Sequence, residues 1–481
     1  MDHTDAVSTM SNIHPSPNAR RLRRDRTIFA EQVPILQHAC EPAWPMDSHE
    51  PPPFPPPWPP EGVRRAMQSE SAHLDPESPL GPLAARWIQE LTSWYKSLQS
   101  HFQFNPADLA ANVRCSLPRW RRRLQYLKHQ DPDKWRSITQ DISQGHSVPF
   151  DSPPHNFFRT RNPPSLKGDK TRAWAAIFKD ISHGAIKPVN LERDGMPICV
   201  CPVRTADKSN GKARFVHNSR RINKRIKRER VQCVLESLLK TRNMYVKDGF
   251  LVGTDYSSGY HCLYLSKDHR KYLAFALHVS ELTDEALSFL WTNHRNSFCQ
   301  VTKCFIFEYV ALPFGLSSSC KAFNDLISSL VGFWRRCPLT DGPVRASSYI
   351  DDVTAVTASF EAGMMLSVRM VYEAAALGLS LEVPKCSLFP RHVMKALGSI
   401  IDLTTFQFRL SQSRIGKIHA AADELWDATR SDPDRVPAKL VARFIGLIWS
   451  SANCCHRASS VMLRGILSVL TLEMQAQLHC T

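Results

Sequence analysis

The 481-residue chain carries 61 Lys and Arg against 45 Asp and Glu, a formal net charge of +16, with 43% hydrophobic residues and 34 prolines. That balance excludes one compact domain of average composition and predicts two or more regions, at least one of them poorly folded. No stretch approaches the roughly 18 uncharged apolar residues that cross a bilayer, and the start, Met1-Asp-His-Thr-Asp-Ala-Val, lacks the basic-then-apolar order of a secretory signal. A soluble intracellular chain of the cytoplasm or nucleus, with no membrane partner, is expected.

In chain order, residues 1–80 read as a disordered Pro-rich arm. Arg20-Arg-Leu-Arg-Arg-Asp-Arg is followed by Pro51-Pro-Pro-Phe-Pro-Pro-Pro-Trp-Pro-Pro, a polyproline II tract without amide donors for helix or sheet, hence a tether or a ligand for an aromatic groove. Residues 81–145 form a small helical region: Trp87, Ile88, Leu91, Trp94, Tyr95, Leu98 and Phe102 recur at helical spacing, and the basic Arg119-Trp-Arg-Arg-Arg comes next. Its role is unreadable from sequence. A Pro/Asn/His-rich linker, 146–164, separates it from the remainder of the chain.

After residue 165 short strands alternate with helices. Eleven basic residues lie between Cys201 and Arg230 against Asp207 and Glu229, a local charge of +9 that is self-repelling unless a polyanion neutralises it. The run interleaves with the strand-like Ile198-Cys-Val-Cys and Arg214-Phe-Val, which favours a nucleic-acid or polyphosphate partner over a merely solvated face. Phe250-Leu-Val-Gly-Thr reads as a buried strand running into Asp255, and Lys271-Tyr-Leu-Ala-Phe-Ala-Leu as another. Residues 276–302 exceed a simple connection and carry their own helical pattern, an insertion. From Ser317 apolar pairs recur every four residues to Trp334, a helix with serines available as its cap. Ser348-Tyr-Ile-Asp-Asp-Val-Thr-Ala-Val is a hairpin turning at Asp351 and Asp352, and a second helix runs from about Phe360 to Leu377, stopped by Gly378. Strand, helix, hairpin, helix, strand is the order of a split βαβ sheet. The 14 cysteines include no Cys-x-x-Cys pair and are expected to be reduced thiols; Cys454-Cys455-His456 reads as helix packing, not a metal site.

In such a sheet Asp255, Asp351 and Asp352 converge on one edge. Hard oxygen ligands grouped this way suit Mg²⁺. Two such ions about 3.5–4 Å apart clamp the attacking and leaving oxygens of a phosphoryl displacement. Polymerases and nucleases share that geometry, and an isolated Asp-Asp turn is more often simply solvated.

Here the residues resemble the reverse transcriptase family. Asp255-Tyr-Ser-Ser-Gly-Tyr260-His resembles its motif A, Leu312-Pro-Phe-Gly-Leu-Ser-Ser-Ser-Cys-Lys-Ala-Phe323 its motif B and Tyr349-Ile-Asp-Asp352 its motif C. Gly378-Leu-Ser-Leu-Glu-Val-Pro-Lys385 resembles motif D, Leu397-Gly398-Ser-Ile-Ile-Asp402 the primer grip, and Gly211-Lys-Ala-Arg214-Phe-Val-His-Asn-Ser-Arg220-Arg-Ile-Asn223 the fingers hairpin. Residues 436–451 resemble the helix after the polymerase in DIRS-like tyrosine-recombinase retrotransposons, with Pro437 suited to a first helical turn.

The resemblance implies an α+β right-hand polymerase: fingers at 165–245, a split-βαβ palm at 246–395, and primer grip with partial helical thumb at 396–481. It implies RNA-directed DNA synthesis from dNTPs on an RNA or DNA template with primer, Mg²⁺ as cofactor, and copies of itself or other element-encoded proteins as companions. Asp255 and Asp351 would hold the metals with Asp352 beside them, and the Tyr256 carbonyl could reach one. Lys208, Lys212 and Arg214 would grip the triphosphate, Phe314 and Gly315 would pack on the nucleotide, and the Tyr260 ring would exclude a 2′-hydroxyl. Lys385 would protonate the leaving pyrophosphate, and Leu397 and Gly398 would hold the primer. Cys320 replaces the usual proline after the motif B serines, Asn218 the usual aspartate of the fingers, and Ser258 a second acid found in many relatives. No further acidic cluster precedes Thr481, so a polymerase without ribonuclease H is expected. An RNA-dependent RNA polymerase fits Tyr349 and Tyr260 less well, and a domesticated fragment that only binds nucleic acid is the non-enzymatic alternative.

Overall fold

A computed structural model describes residues 52–71, 78–207, 211, 213–236, 238–337, 342–432, 436–451 and 454. Residues 1–51, the triphosphate candidates Lys208 and Lys212, and Cys455 and His456 lie outside the described residues. The described cysteines are free thiols, and among the described residues no helix is long and apolar enough to cross a membrane.

Four antiparallel strands form the sheet that matters most for function. Phe250–Asp255 lies between Asp352–Thr357 and Ser387–Arg391, and Arg345–Tyr349 pairs outside Asp352–Thr357. With the helices Ser317–Trp334 and Phe360–Ala376 this is the expected split βαβ arrangement. Side chains alternate across a strand, so Phe250 and Val252 face the helices while Leu251 meets Val356, Met394 and Ile401 on the other side. Both faces are therefore covered, which is why 250–254 is an unbroken buried run.

The helix Phe360–Ala376 starts at Ser359, whose hydroxyl accepts from Ala362 N at 3.2 Å, and ends before Gly378, at φ 72°. The helix Ser317–Trp334 departs from expectation at its start. Its serines lie inside the helix, and Ser319 donates to the Pro313 carbonyl at 2.9 Å. The Ser317 amide is met instead by Asn223 Oδ1 at 3.0 Å, a cap supplied by a distant segment.

The arm expected to be disordered through residue 80 is ordered from 52 to 71. Trp87 and Trp94 donate their indole N–H groups to the carbonyls of Pro57 (2.9 Å) and Phe54 (3.3 Å). The proline tract has thus found its aromatic groove within its own chain, because prolines keep free carbonyls even where they lack amides. A helix, Glu61–Ser71, comes next and buries Met67; Ser71 Oγ donates to Pro390 O at 2.7 Å.

Region 81–145 is likewise not a separate body. The helix Pro82–His101 packs on Phe360–Ala376, and Trp120 Nε1 donates to Leu377 O at 3.0 Å. The Tyr95 hydroxyl donates to Leu379 O at 2.9 Å and accepts from Leu381 N at 3.0 Å. Arg123 and Glu373 form an ion pair at 3.1 Å, each side chain 1% exposed.

The 146–164 segment is no free linker either. Phe158–Arg159 is a strand beside Cys199–Cys201 in a six-stranded sheet that continues through Ala274–His278, Cys304–Tyr309 and Ile186–Pro188, with Phe298–Cys299 pairing Cys304–Tyr309. A boundary at 245/246 would cut this sheet, and the 276–302 insertion, with its helix Asp284–His294, belongs to it. The separate hairpin Val203–Asp207 with Ala213–His217 carries part of the basic run.

On the far side of the four-stranded sheet, Val393–Ala396, Ser399–Asp402 and Gln407–Leu410 form a three-stranded meander. The helices Gln412–Ser431 and Ala438–Trp449 pack together beyond it; Pro437 lies just outside the second helix's first turn and makes no side-chain cap.

Candidate active site

Strand register brings the acids together. Asp255 is the cross-strand partner of Asp352, and the Tyr256 amide donates to the Asp351 carbonyl at 3.3 Å. Asp255 and Asp352 share the face of Leu251 and Val356, at the end where the buried run stops. The hairpin turns through two residues, Ile350 and Asp351, and Ile350 sits at φ 61°. A β-branched residue there is strained by about 1–3 kcal/mol, a strain the flanking ladder holds in place.

The three carboxyls feel one another. Partial burial, then the charges of Asp351 and Asp255, push Asp352 up to about 6. Asp255 is raised by burial, then by Asp351 and Glu382, with Lys385 opposing. Burial raises Asp351, opposed by its own backbone amide and by Arg214. Like charges crowded this way are what a divalent cation relieves. Among the described residues no three Asp, Glu, His or Cys side chains are gathered closely enough to hold an ion unaided. The set fits an ion of the Mg²⁺ kind, which takes one or two carboxylates and completes its shell with water and substrate phosphate.

Beside the acids, Tyr260 lies against Phe314 with ring centroids 4.8 Å apart and edge-on to Phe323 at 5.9 Å. Burial and then the adjacent Cys320 raise the Tyr260 hydroxyl well above its ordinary range. The guanidinium of Arg214 caps the other ring of this pair, 4.6 Å from the Phe314 centroid. Gly315, at φ 108°, passes so close to the fingers hairpin that an added Cβ would lie 1.9 Å from His217 O. Tyr256 is buried at 2%, so its backbone, not its ring, fronts the site.

Lys385 pairs with Glu382 and is near enough to Asp255 to oppose its upward shift. Leu397 and Gly398 form the two-residue turn between Val393–Ala396 and Ser399–Asp402, both with positive φ (51° and 79°). They stand at the tip of the meander, apart from the carboxylates in sequence but on the sheet face that Asp255 shares.

Sequence reasoning overlooked the residues that join these parts. Asn223 donates to Gly315 O at 2.9 Å while accepting from Ser317 N, and His217 N donates to Phe314 O at 3.0 Å. His217 itself is wholly buried, with Nδ1 2.6 Å from Ser219 Oγ, and burial lowers its pKa to about 4. An Asn within the basic run was the available signal, since its side chain both donates and accepts. The same hairpin borders a groove of about 450 Å³ lined by Arg161, Arg204, Asn218, Arg220 and Gly315.

A split βαβ sheet with acids at its central strand and adjacent hairpin, faced by a basic hairpin, is the palm and fingers arrangement of the right-hand polymerase fold. Residues 206–401, about two fifths of the chain, match the family described as reverse transcriptase (RNA-dependent DNA polymerase), and this stretch is similar to that family. Among solved structures, the foamy viral protease–reverse transcriptase dRH in complex with double-stranded DNA is 15% identical, with 73% of this chain and 56% of that one covered and a TM-score of 0.46. The foamy viral protease–reverse transcriptase with double-stranded DNA gives 15% identity, 73% and 71% covered and 0.41; its complex with an RNA/DNA hybrid gives 14%, 73%, 46% and 0.40. This chain thus spans little more than half the length of the first of these. A search of curated proteins gives no match.

Proposed function

We propose that the chain is an RNA-directed DNA polymerase that extends a primer 3′-hydroxyl on an RNA or DNA template, taking dNTPs and releasing pyrophosphate. The observation that carries this reading is the register that pairs Asp255 with Asp352 and ties Tyr256 to Asp351. Asp255, Asp351, the neighbouring Asp352 and the Tyr256 carbonyl would hold two Mg²⁺ ions. Such ions, when bound, lower the pKa of the attacking hydroxyl and stabilise charge on the leaving oxygens.

The protein's own groups do the rest. Arg214 lies over the Phe314 ring and near enough to Asp351 to oppose its upward shift, where a planar guanidinium would meet phosphate oxygens, and Lys208 and Lys212 would extend the grip from the hairpin tip. Gly315 lets the backbone approach the nascent base pair, and Phe314 supports it. The Tyr260 ring, braced by Phe314 and Phe323, would leave no room for a 2′-hydroxyl. Lys385, paired with Glu382, would donate a proton to the departing pyrophosphate, and the Leu397–Gly398 turn would seat the primer. The likeness of residues 436–451 to the helix of DIRS-like elements supports a retrotransposon setting, with action in cytoplasm or nucleus and with self-association or other element-encoded proteins as companions.

Primer extension on a homopolymer RNA template, with labelled deoxynucleotide or ribonucleotide, tests the reading. Deoxynucleotide incorporation that Asp351→Asn abolishes is expected. Ribonucleotide preference would point to an RNA polymerase, and binding without extension by either protein would sink the enzymatic reading. If Tyr260→Ala leaves sugar discrimination unchanged, the proposed gate is wrong.

A further inference from the structure

The strand Arg345–Tyr349, which leads into the catalytic turn, is the outermost of its sheet. An edge strand leaves alternate backbone groups without ladder partners, and such groups cannot be left bare when buried. Ala346 and Ser348 are each 2% exposed. Being two residues apart, they direct their backbone groups the same way.

Two side chains from outside the sheet meet these groups. Glu236 Oε2 accepts from the Ser348 amide at 3.1 Å, and Arg335 Nε donates to the Ala346 carbonyl at 2.7 Å. Arg335 Nη2 in turn donates to both oxygens of Glu236, at 3.0 and 2.8 Å. One acceptor and one donor, locked together by a forked ion pair, thus satisfy the N–H and C=O that a neighbouring strand would have engaged. Arg335 closes the helix Ser317–Trp334, whose first turn lies against the Phe314–Gly315 turn, about 27 Å away at the helical rise. Glu236 lies six residues after Arg230, where the basic run finishes.

We propose that the Glu236–Arg335 pair stands in for a fifth strand and is the positioning element that fixes the hairpin bearing Asp351 and Asp352. The inference rests on the polymerase reading for its catalytic consequence, though not for the contact itself. Glu236 touches no reacting atom. It holds the strand three residues before Asp351, and the strained Ile350 turn transmits any slip directly to the carboxylates.

Hydrogen exchange over residues 345–353 and steady-state primer extension test it together. Glu236→Ala is expected to quicken exchange in that segment about tenfold, since a released edge amide opens locally. It should lower kcat about tenfold, with KM for dNTP and primer–template affinity within about twofold, the pattern of misplaced chemistry without lost binding. Glu236→Gln keeps an acceptor for Ser348 and should recover most of both. Arg335→Lys loses the fork and should quicken exchange even if Glu236→Ala folds poorly. Unchanged exchange in Glu236→Ala or in Arg335→Lys would overturn the proposal, as would a rise in KM with kcat intact. An inert wild type would sink the polymerase reading alone, and the exchange comparison would still decide the clamp.

Discussion

Two helical regions flank the palm in sequence and differ sharply in what they bury. In the N-terminal layer Trp87 and Trp120 are 1% and 0% exposed, and Arg123 meets Glu373 in the interior. In the C-terminal pair, Gln412–Ser431 buries only Ala421 and Ala438–Trp449 only Ile445, while Trp426 and Trp449 stand 61% and 49% exposed. Both regions carry apolar residues at helical spacing. Periodicity therefore announces that a face exists, whereas what covers that face is decided by tertiary partners the sequence does not name. The first region completes the palm, and the second leaves most of its described residues exposed.

The largest expected effect tests the first half of that contrast. Arg123→Ala leaves the buried Glu373 carboxyl without the Arg123 guanidinium, and should cost about 3–5 kcal/mol in denaturant unfolding. A loss below about 1 kcal/mol would mean that the layer is an accessory to the palm. Gly378→Ala probes the same seam from the palm side. The residue has φ 72°, and an added Cβ would lie 2.4 Å from the Asn112 carbonyl. About 2 kcal/mol of destabilisation is expected, read from the same unfolding curves. Loss of extension activity without loss of stability in either variant would break the comparison.

The seam was invisible in sequence for a physical reason. Trp120, Arg123 and Tyr95 reach Leu377, Glu373 and Leu379 across more than 240 residues of chain, and no local pattern encodes such pairs. The palm was legible because its signals are local: Ser359 and Gly378 bound one helix, apolar runs end at acids, and the hairpin turns where Asp351 lies. The polyproline tract misled because prolines discourage helix and sheet without discouraging docking through their carbonyls. Of the site, the acids and aromatic rings were readable; Asn223, His217 and Glu236 were not, since their work is to join segments rather than to meet substrate.

A smaller effect should appear in acid, where the 146–164 segment meets His269. The Val148 amide donates to His269 Nδ1 at 2.9 Å, so that nitrogen must stay unprotonated. Burial, reinforced by His146 and Lys271 against Asp268, holds the His269 pKa below its ordinary 6.5. Between the folded value and 6.5 the unfolded chain binds the proton more readily, so stability is complete above that range and falls as pH drops through it. The melting temperature should decline from about pH 7 to 5.5 less steeply in His269→Gln, whose amide oxygen can still accept from Val148. Equal slopes would remove this histidine from the account.

The smallest expected effect on folding tests the second half of the contrast, and its value lies in what else moves. Trp426 has the Arg430 guanidinium 5.3 Å from its ring centroid and little packed over the rest of its surface. Trp426→Ala should therefore change unfolding free energy by no more than about 0.5 kcal/mol, the range of a surface substitution. If the exposed face receives nucleic acid, the same variant should weaken primer–template binding severalfold, because an aromatic ring over a strand contributes about 1–3 kcal/mol per stacked base. The loss should appear in Kd at fixed salt, with the salt slope nearly unchanged, since no cation has been removed. A Trp426→Ala protein that unfolds as readily as Arg123→Ala would show the two helical regions to be alike after all. One that keeps both stability and affinity would leave the C-terminal face to a protein partner, for which a second copy of this chain is the first to try by sedimentation.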